Sequence, residues 1–427
     1  MGITFLADAL GMARSKGTII ICGVASAALT ARYLGPAGSG AYAGLLVYPG
    51  LFMSLGAMGV RQSSAYLLGR KAVDEVSLRY AIFNVWLGTA LLTTVISWLL
   101  ISNFSSFHGR WETPLAVAAI PFSLYASYIS GIYLGQNRIG KLNQVDWIPA
   151  LVVLGANIVF VAVLKLGVPG ALLAQLAGPV VIFAIVAVRN PISFRGYRFQ
   201  PDVMLQLLRL GAVYALSMLV INLNYRVDLI LLDRLSTAAE LGFYSKGAGL
   251  TQYLWQIPML LSTIVFARSA NASDDLDFSR KVARLLRMSI LIIGAGSIAL
   301  FLLADWIVNV LYGAVFSRSA EAIRILLPGV LIMTIFKVMN MDLAGKGKPW
   351  VAMFAMLPAL AVNVGVNLLL IPSMGANGAA WASTISYSIA GMAFAVVYSR
   401  VVGLPLSEMF RFRRDDYDFI LHRLRLR

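Results

Sequence analysis

Residues 17–44 read GTIIICGVASAALTARYLGPAGSGAYAG. From Gly17 to Leu34 the only charge is Arg32, near the far end of the run. A membrane-spanning helix needs about twenty apolar residues, and this run comes close to that length. It is too long for the apolar core of a signal peptide and lacks a convincing cleavage site, so it reads as a retained first span. The LGP turn closes it, and a second apolar run opens at Ala41.

The same alternation of apolar run and charged break continues along all 427 residues. Hydrophobic residues make up 59% and charged residues 13%, and the mean hydropathy is +0.80. A soluble domain carries about twice that share of charge. The runs lie near 17–34, 41–60, 80–101, 114–134, 147–165 and 169–188, then 211–232, 241–266, 288–311, 325–344, 350–371 and 377–398. This predicts an all-α polytopic membrane protein of about twelve spans. Such spans use roughly 240 residues and leave no loop long enough for a soluble catalytic domain. The single cysteine, Cys22, sits inside a span, and the two histidines, His108 and His422, are far apart. No disulfide framework, metal site or cofactor is expected.

Charge sets the orientation. With Met1 on the cytoplasmic side, 26 of the 35 Lys and Arg fall in cytoplasmic segments. Six lie at the outer side (Arg32, Arg110, Lys165, Arg234, Arg318, Arg324), and Arg226, Lys246 and Lys337 lie within runs. That asymmetry follows the positive-inside rule and places both termini in the cytoplasm of a plasma membrane. The net charge of +16 therefore calls for no nucleic acid. The basic tail, FRFRRDDYDFILHRLRLR, reads as a juxtamembrane segment on anionic lipid headgroups.

The two halves repeat. RYLGPAGSGAYAG (32–44) aligns with RLSTAAELGFYSK (234–246) at a spacing of 202, matching Gly40 to Gly242 and Tyr42 to Tyr244. LGQNRIGK (134–141) aligns with AGKGKPWV (344–351) at 210, and GVPGALLAQ (167–175) with GANGAAWAS (375–383) at 208. Six spans per half is an even number, so both halves enter from one side and form a parallel repeat with a site between them. The expected division is a six-helix lobe at 1–190, a cytoplasmic connection at 191–210, a second six-helix lobe at 211–399 and the tail at 400–427. Prolines inside runs (Pro49, Pro121, Pro179, Pro258, Pro358) free backbone groups and permit kinks.

An apolar helix ending in RYLGPAGSGAYA resembles the start of the polysaccharide-repeat-unit (O-antigen type) flippases. Those belong to the multidrug/oligosaccharidyl-lipid/polysaccharide exporter superfamily. NYRVDLILLDRLSTAAELGFYSKGAGL, DLAGKGKPW and NVGVNLLLIPSMGANGAAWAS are similar to that family in corresponding order, so the likeness covers about 17–398. The resemblance implies alternating access and a cargo of undecaprenyl-pyrophosphate-type oligosaccharide for polysaccharide, such as lipopolysaccharide, biosynthesis. It also implies polysaccharide polymerase machinery as a partner. Two departures matter. Residues 17–34 contain no acid, unlike the proton-coupled drug exporters, and the chain lacks the two further helices of the peptidoglycan-precursor flippases. A cation-coupled exporter of small molecules is the alternative within the superfamily. A polysaccharide polymerase or ligase would want an acid- or histidine-rich outer loop, and 102–113 and 312–324 offer only His108, Glu112 and Glu321.

Charge within the bilayer is costly, so intramembrane ionisable residues are the functional candidates. Arg226, Lys337, Lys246, Arg32 and Arg61 are the candidate cationic binders, with Asn222 and Asn224 as polar cavity residues. Asp228 is a possible charge partner or coupling-ion site. Asp228 and Lys246 stand nine residues either side of Thr237, hence at similar depth, which also suits an ion pair closing the hairpin. Arg226 is two residues from Asp228 and on another face, so it needs its own partner or an anionic ligand. Arg32, Lys165 and Asp342 lie near run ends, where snorkelling suffices, and Asp305 beside Trp306 reads as interfacial.

Overall fold

The computed structural model describes residues 2–136, 138–192, 197–256, 259, 265, 269, 275–348 and 350–412. Among these, every regular element is helical. The first half comprises α1 (Gly2–Gly56), α2 (Val60–Gly69), α3 (Glu75–Phe104), α4 (Glu112–Gly135), α5 (Ile139–Asn157) and α6 (Gly167–Arg189). The second comprises α7 (Pro201–Leu235), α8 (Ala238–Gln252), α9 (Asp275–Tyr312), α10 (Ser317–Gly345), α11 (Trp350–Met374), α12 (Ala376–Val402) and the short α13 (Leu406–Phe410).

Ten helical stretches among the described residues are long and apolar enough to cross a membrane. The first of them, Arg14–Gly69, contains two of the expected runs. At Gly35 the backbone leaves helical geometry (φ 65°, ψ −176°), so α1 is two helices joined at a kink. Glycine tolerates positive φ, and Pro36 opens the next helix where its missing N–H is no loss. The second half of the 241–266 run, with Pro258, lies largely outside the described residues. So do most of the basic tail and His422. The expected all-α, multi-span architecture is met, and its helices follow the predicted runs in order.

Local chemistry sets the helix ends. Asp74 caps α3 by accepting the Ser77 N–H at 2.9 Å, satisfying one of the first-turn donors that a helix leaves open. α7 begins at Pro201, and α12 stops at Gly403 in the left-handed region.

The chain divides into two compact units, 1–246 with 309–316, and 247–308 with 317–427. The break falls within α8, whereas the repeat suggests a division at 191–210. The reason is packing: α7 lies along α1, α2 and α3 and so belongs to the first unit. In the second unit α12 packs along both α10 and α11.

One contact in the first unit expresses the repeat directly. A Cβ on Gly40 would strike the carbonyl of Ala238, and a Cβ on Gly242 would strike the carbonyl of Pro36. Pro36 and Ala238 are separated by the same 202 residues as Gly40 and Gly242. The contact is therefore reciprocal, as at a two-fold interface, and glycine at both positions lets the two backbones touch.

Candidate functional site

Three cavities lie inside the first unit, arranged around α6. Gln175 and Pro179 are four residues apart and therefore share one face of that helix. Both line a cavity of about 410 Å³ and a neighbour of about 470 Å³. The first of these is walled by α1 from Ile19 to Thr30 and by α5 from Pro149 to Asn157, with Lys246 of α8. The second is walled by α1 from Leu46 to Ala57 and by α4 from Ala116 to Ser123, with Arg226 of α7. Pro179 also borders a third cavity of about 180 Å³, which holds Arg61, Asp146 and the hydroxyls of Ser123, Ser127 and Ser130.

The candidate cations thus fall into different circumstances. Arg226 is the sole charged side chain in its cavity. Its guanidinium lies against Gly50, where a side chain would collide with it. Among the described residues it makes neither an ion pair nor a hydrogen bond. Lys246 is buried, and its ammonium donates to the Ala27 carbonyl at 3.0 Å and to Thr30 Oγ1 at 2.7 Å. It also lies 5.8 Å from the ring centre of Tyr312. The Lys246–Asp228 ion pair considered for the hairpin is not formed. Asp228 is fully buried and instead accepts the Tyr244 hydroxyl at 2.7 Å. The two residues face different neighbours, so equal spacing from Thr237 did not make a pair.

Arg61 shares its cavity with Asp146, whose carboxylate is 3.8 Å from the Lys16 ammonium. Arg32 is turned outward. Its guanidinium donates to the carbonyls of Leu311 at 3.0 Å and Val310 at 2.5 Å, capping the end of α9, where a cation is favourable. Asn222 donates to the Met218 carbonyl one turn back at 2.8 Å, and Asn224 is fully buried.

Lys337 belongs to α10 of the second unit. Its ammonium sits 4.7 Å from the ring centre of Trp255, close enough for a cation–π contact. That indole donates to the Val330 carbonyl at 3.0 Å. Asp342, expected to reach the interface, is fully buried. It accepts from Ser269 at 2.6 Å, Ser279 at 2.7 Å, Tyr398 at 2.6 Å and Lys346 at 3.1 Å. Snorkelling was the wrong account, because three hydroxyls and an ammonium converge on the carboxylate inside the unit. Asp305 is exposed and pairs with Arg324 at 2.5 Å, as suits an interfacial residue.

Reading charges within the runs alone passed over Gln175, Asn157, Thr30 and Tyr42, and Asp146, which stands just outside the 147–165 run. The signal available for the first two was a lone amide in an otherwise apolar run. Asn157 also stands 210 residues from Asn367, a spacing seen in the repeat. Each asparagine donates to the carbonyl one turn back, at 3.0 Å and 2.9 Å, and both are buried. Among the described residues no group of three His, Cys, Asp or Glu is placed to hold a metal.

Chemically, the second cavity presents a permanently charged planar fork to an otherwise apolar and hydroxyl-lined space. Arginine suits phosphate oxygens because it offers parallel N–H donors.

The chain is 22% identical over 393 residues to the "Putative O-antigen transporter" of Shigella flexneri, covering 88% of this chain and 94% of that protein. Its fold is similar to the inward closed conformation of the lipid II flippase MurJ, with a TM-score of 0.73 and 15% identity over 97% of this chain and 95% of that one. It is also similar to an inward-facing multidrug resistance MATE family transporter of the MOP superfamily, with a TM-score of 0.71 and 15% identity over 90% and 94%. The profile of one family matches residues 29–321, well over half of the chain and including the α4, α5, α6, α7 and α8 segments that border the cavities and the α1 segment from Leu46 to Ala57. By that match the chain is a member of the family described as "Polysaccharide biosynthesis protein".

Proposed function

We propose that this protein is a flippase that moves polyprenyl-pyrophosphate-linked oligosaccharides across the bacterial plasma membrane by alternating access. The observation that carries this reading is Arg226, a guanidinium without an acid partner among the described residues, facing a cavity of about 470 Å³ within the membrane-spanning part. A half-buried cation of that kind inside a span is costly to maintain and is explained by an anion that visits it. The family match and the likeness to an O-antigen transporter support polysaccharide precursors as the cargo. A pyrophosphate supplies the anion, and the polyprenyl chain stays in the bilayer.

In this reading Arg61 receives the headgroup on the cytoplasmic side, Arg226 holds it near mid-depth, and Lys337 provides a cation in the lobe 211–399. Lys246, already hydrogen-bonded, sets the shape of the cavity next to Arg226. Both termini are cytoplasmic, and the tail rests on anionic headgroups. No acid of α1 lies between Gly17 and Leu34, which weighs against a drug exporter driven by protons through that helix.

The test is export in cells together with stability in detergent. Arg226→Ala should abolish surface polysaccharide and cause lipid-linked oligosaccharide to accumulate, while the purified protein unfolds within ~1 kcal/mol of wild type, as expected where no ion pair or hydrogen bond among the described residues is lost. Arg226→Lys should restore part of the export, because the charge returns without the fork. Stable Arg226→Ala protein with undiminished export would remove this proposal.

A further inference from the structure

The two cavities that meet at Gln175 and Pro179 differ in chemistry. The Arg226 cavity holds a cation that makes no ion pair or hydrogen bond among the described residues, beside the hydroxyls of Ser54 and Ser123. The other has one charged side chain, Lys246, whose ammonium is already engaged by Ala27 and Thr30. What remains there is uncharged: a mainly apolar lining that carries the side chains of Tyr42, Asn157 and Gln175. Asn157 is almost completely buried, and its side-chain carbonyl has no partner among the described residues. Gln175 accepts only a long hydrogen bond from the Tyr42 hydroxyl, at 3.4 Å, and its amide N–H₂ is uncommitted among the described residues.

Amides with an unused acceptor, as in Asn157, and unused donors, as in Gln175, suit a ligand made of hydroxyls. A side-chain amide donates and accepts at once, and a sugar ring presents both functions on neighbouring carbons. The cavity volume, about 410 Å³, falls in the usual range for small-molecule sites, roughly 300–1,000 Å³. It shares a wall with the Arg226 cavity, so a pyrophosphate on one side of Gln175 places the attached sugar on the other.

We infer that the cavity between α1, α5 and α6 is a carbohydrate subsite, and that Gln175 and Asn157 read the sugar attached to the pyrophosphate. This rests on the reading of Arg226 as the phosphate residue, and it adds that specificity for the glycan is set by uncharged residues. Charge captures any polyprenyl pyrophosphate. Amides that would be left unpaired by a cargo without hydroxyls reject it.

The sequence supplies a reporter. Cys22 is the only cysteine and lines this cavity. The full chain is reconstituted in liposomes and offered two lipids: lipid-linked oligosaccharide extracted from cells depleted of the protein, and synthetic undecaprenyl pyrophosphate without sugar. Alkylation of Cys22 by N-ethylmaleimide should slow about ten-fold with the first and less than about two-fold with the second, since only the sugar enters. In transport, Gln175→Ala should lower movement of the glycosylated lipid about ten-fold, the worth of one good hydrogen bond. Asn157→Ala should do the same and leave movement of the bare lipid unchanged, because Asn157 borders this cavity and not the one that holds Arg226. If alkylation does not proceed even without lipid, the transport ratio decides. Equal protection by both lipids, or equal loss of both in Asn157→Ala, overturns the sugar assignment while leaving Arg226 as phosphate residue. If the wild type moves neither lipid and neither slows alkylation, the phosphate reading fails together with the subsite.

Discussion

At the scale of single residues, the charges that looked alike in the sequence separate into two kinds. Asp342 is saturated: three hydroxyls and Lys346 reach it inside the second unit. Removing one side of such a buried arrangement leaves the other uncompensated, so Asp342→Ala should destabilise the protein by ~3–5 kcal/mol, read as thermal unfolding in detergent. Arg226→Ala should instead leave stability near normal and lose export. If the two variants show the same stability, the distinction between a structural and a ligand-facing charge fails. Asp228 offers a second case. Its described hydrogen bond is with Tyr244, whereas Lys246 is bound to α1. A double-mutant cycle between Asp228→Asn and Tyr244→Phe should give a coupling of about 1 kcal/mol or more. The cycle between Asp228→Asn and Lys246→Met should be additive within about 0.5 kcal/mol. Strong coupling in the second cycle would restore the ion pair that their depth suggested.

At the scale of elements, the informative feature is the crossing of α1 and α8 at Gly40 and Gly242. The repeat was visible in the sequence as two aligned glycines. That they touch each other was not, because an alignment equates positions without saying whether they meet. Each glycine sits under a carbonyl of the opposing helix, so a methyl group on either pushes the helices apart. Gly40→Ala and Gly242→Ala should each destabilise the protein by ~1–3 kcal/mol, the usual cost of overpacking. Their similarity to one another is itself expected from the reciprocal contact. Gly155→Ala on α5 is the control, since a Cβ there meets nothing within 4 Å. A neutral result for both crossing glycines would show that α1 and α8 separate without penalty. Their neighbours show how a repeat diverges: Tyr42 borders a cavity, while its counterpart Tyr244 holds Asp228.

At the scale of the whole molecule, orientation is the property most open to a simple test. Reporter enzymes fused after Arg427 should read cytoplasmic and one inserted at Ser106 should read external; a C-terminus outside would break the expected topology. That expectation, the all-helical class and the order of the spans came from the sequence by itself. The physical reason is that a bilayer acts on each run through its length and hydropathy, and on loops through their basic residues. Both are properties of the chain in one dimension. The Gly35 kink was announced in the same way by its glycine and following proline. The grouping of polar residues is of another kind. Whether Lys246 meets Asp228 or Thr30, and whether Arg226 meets an acid or a cavity, depends on the direction each side chain takes around its helix axis and on which helix stands there. Gln175 of α6 and Arg226 of α7 are far apart in sequence and border one space. Asp342 is buried because hydroxyls from other helices surround it, although its place near a run end suggested exposure. Hydropathy determined which segments enter the membrane, but only the packing of the helices decided which of their few polar groups are satisfied by one another and which are left for a ligand.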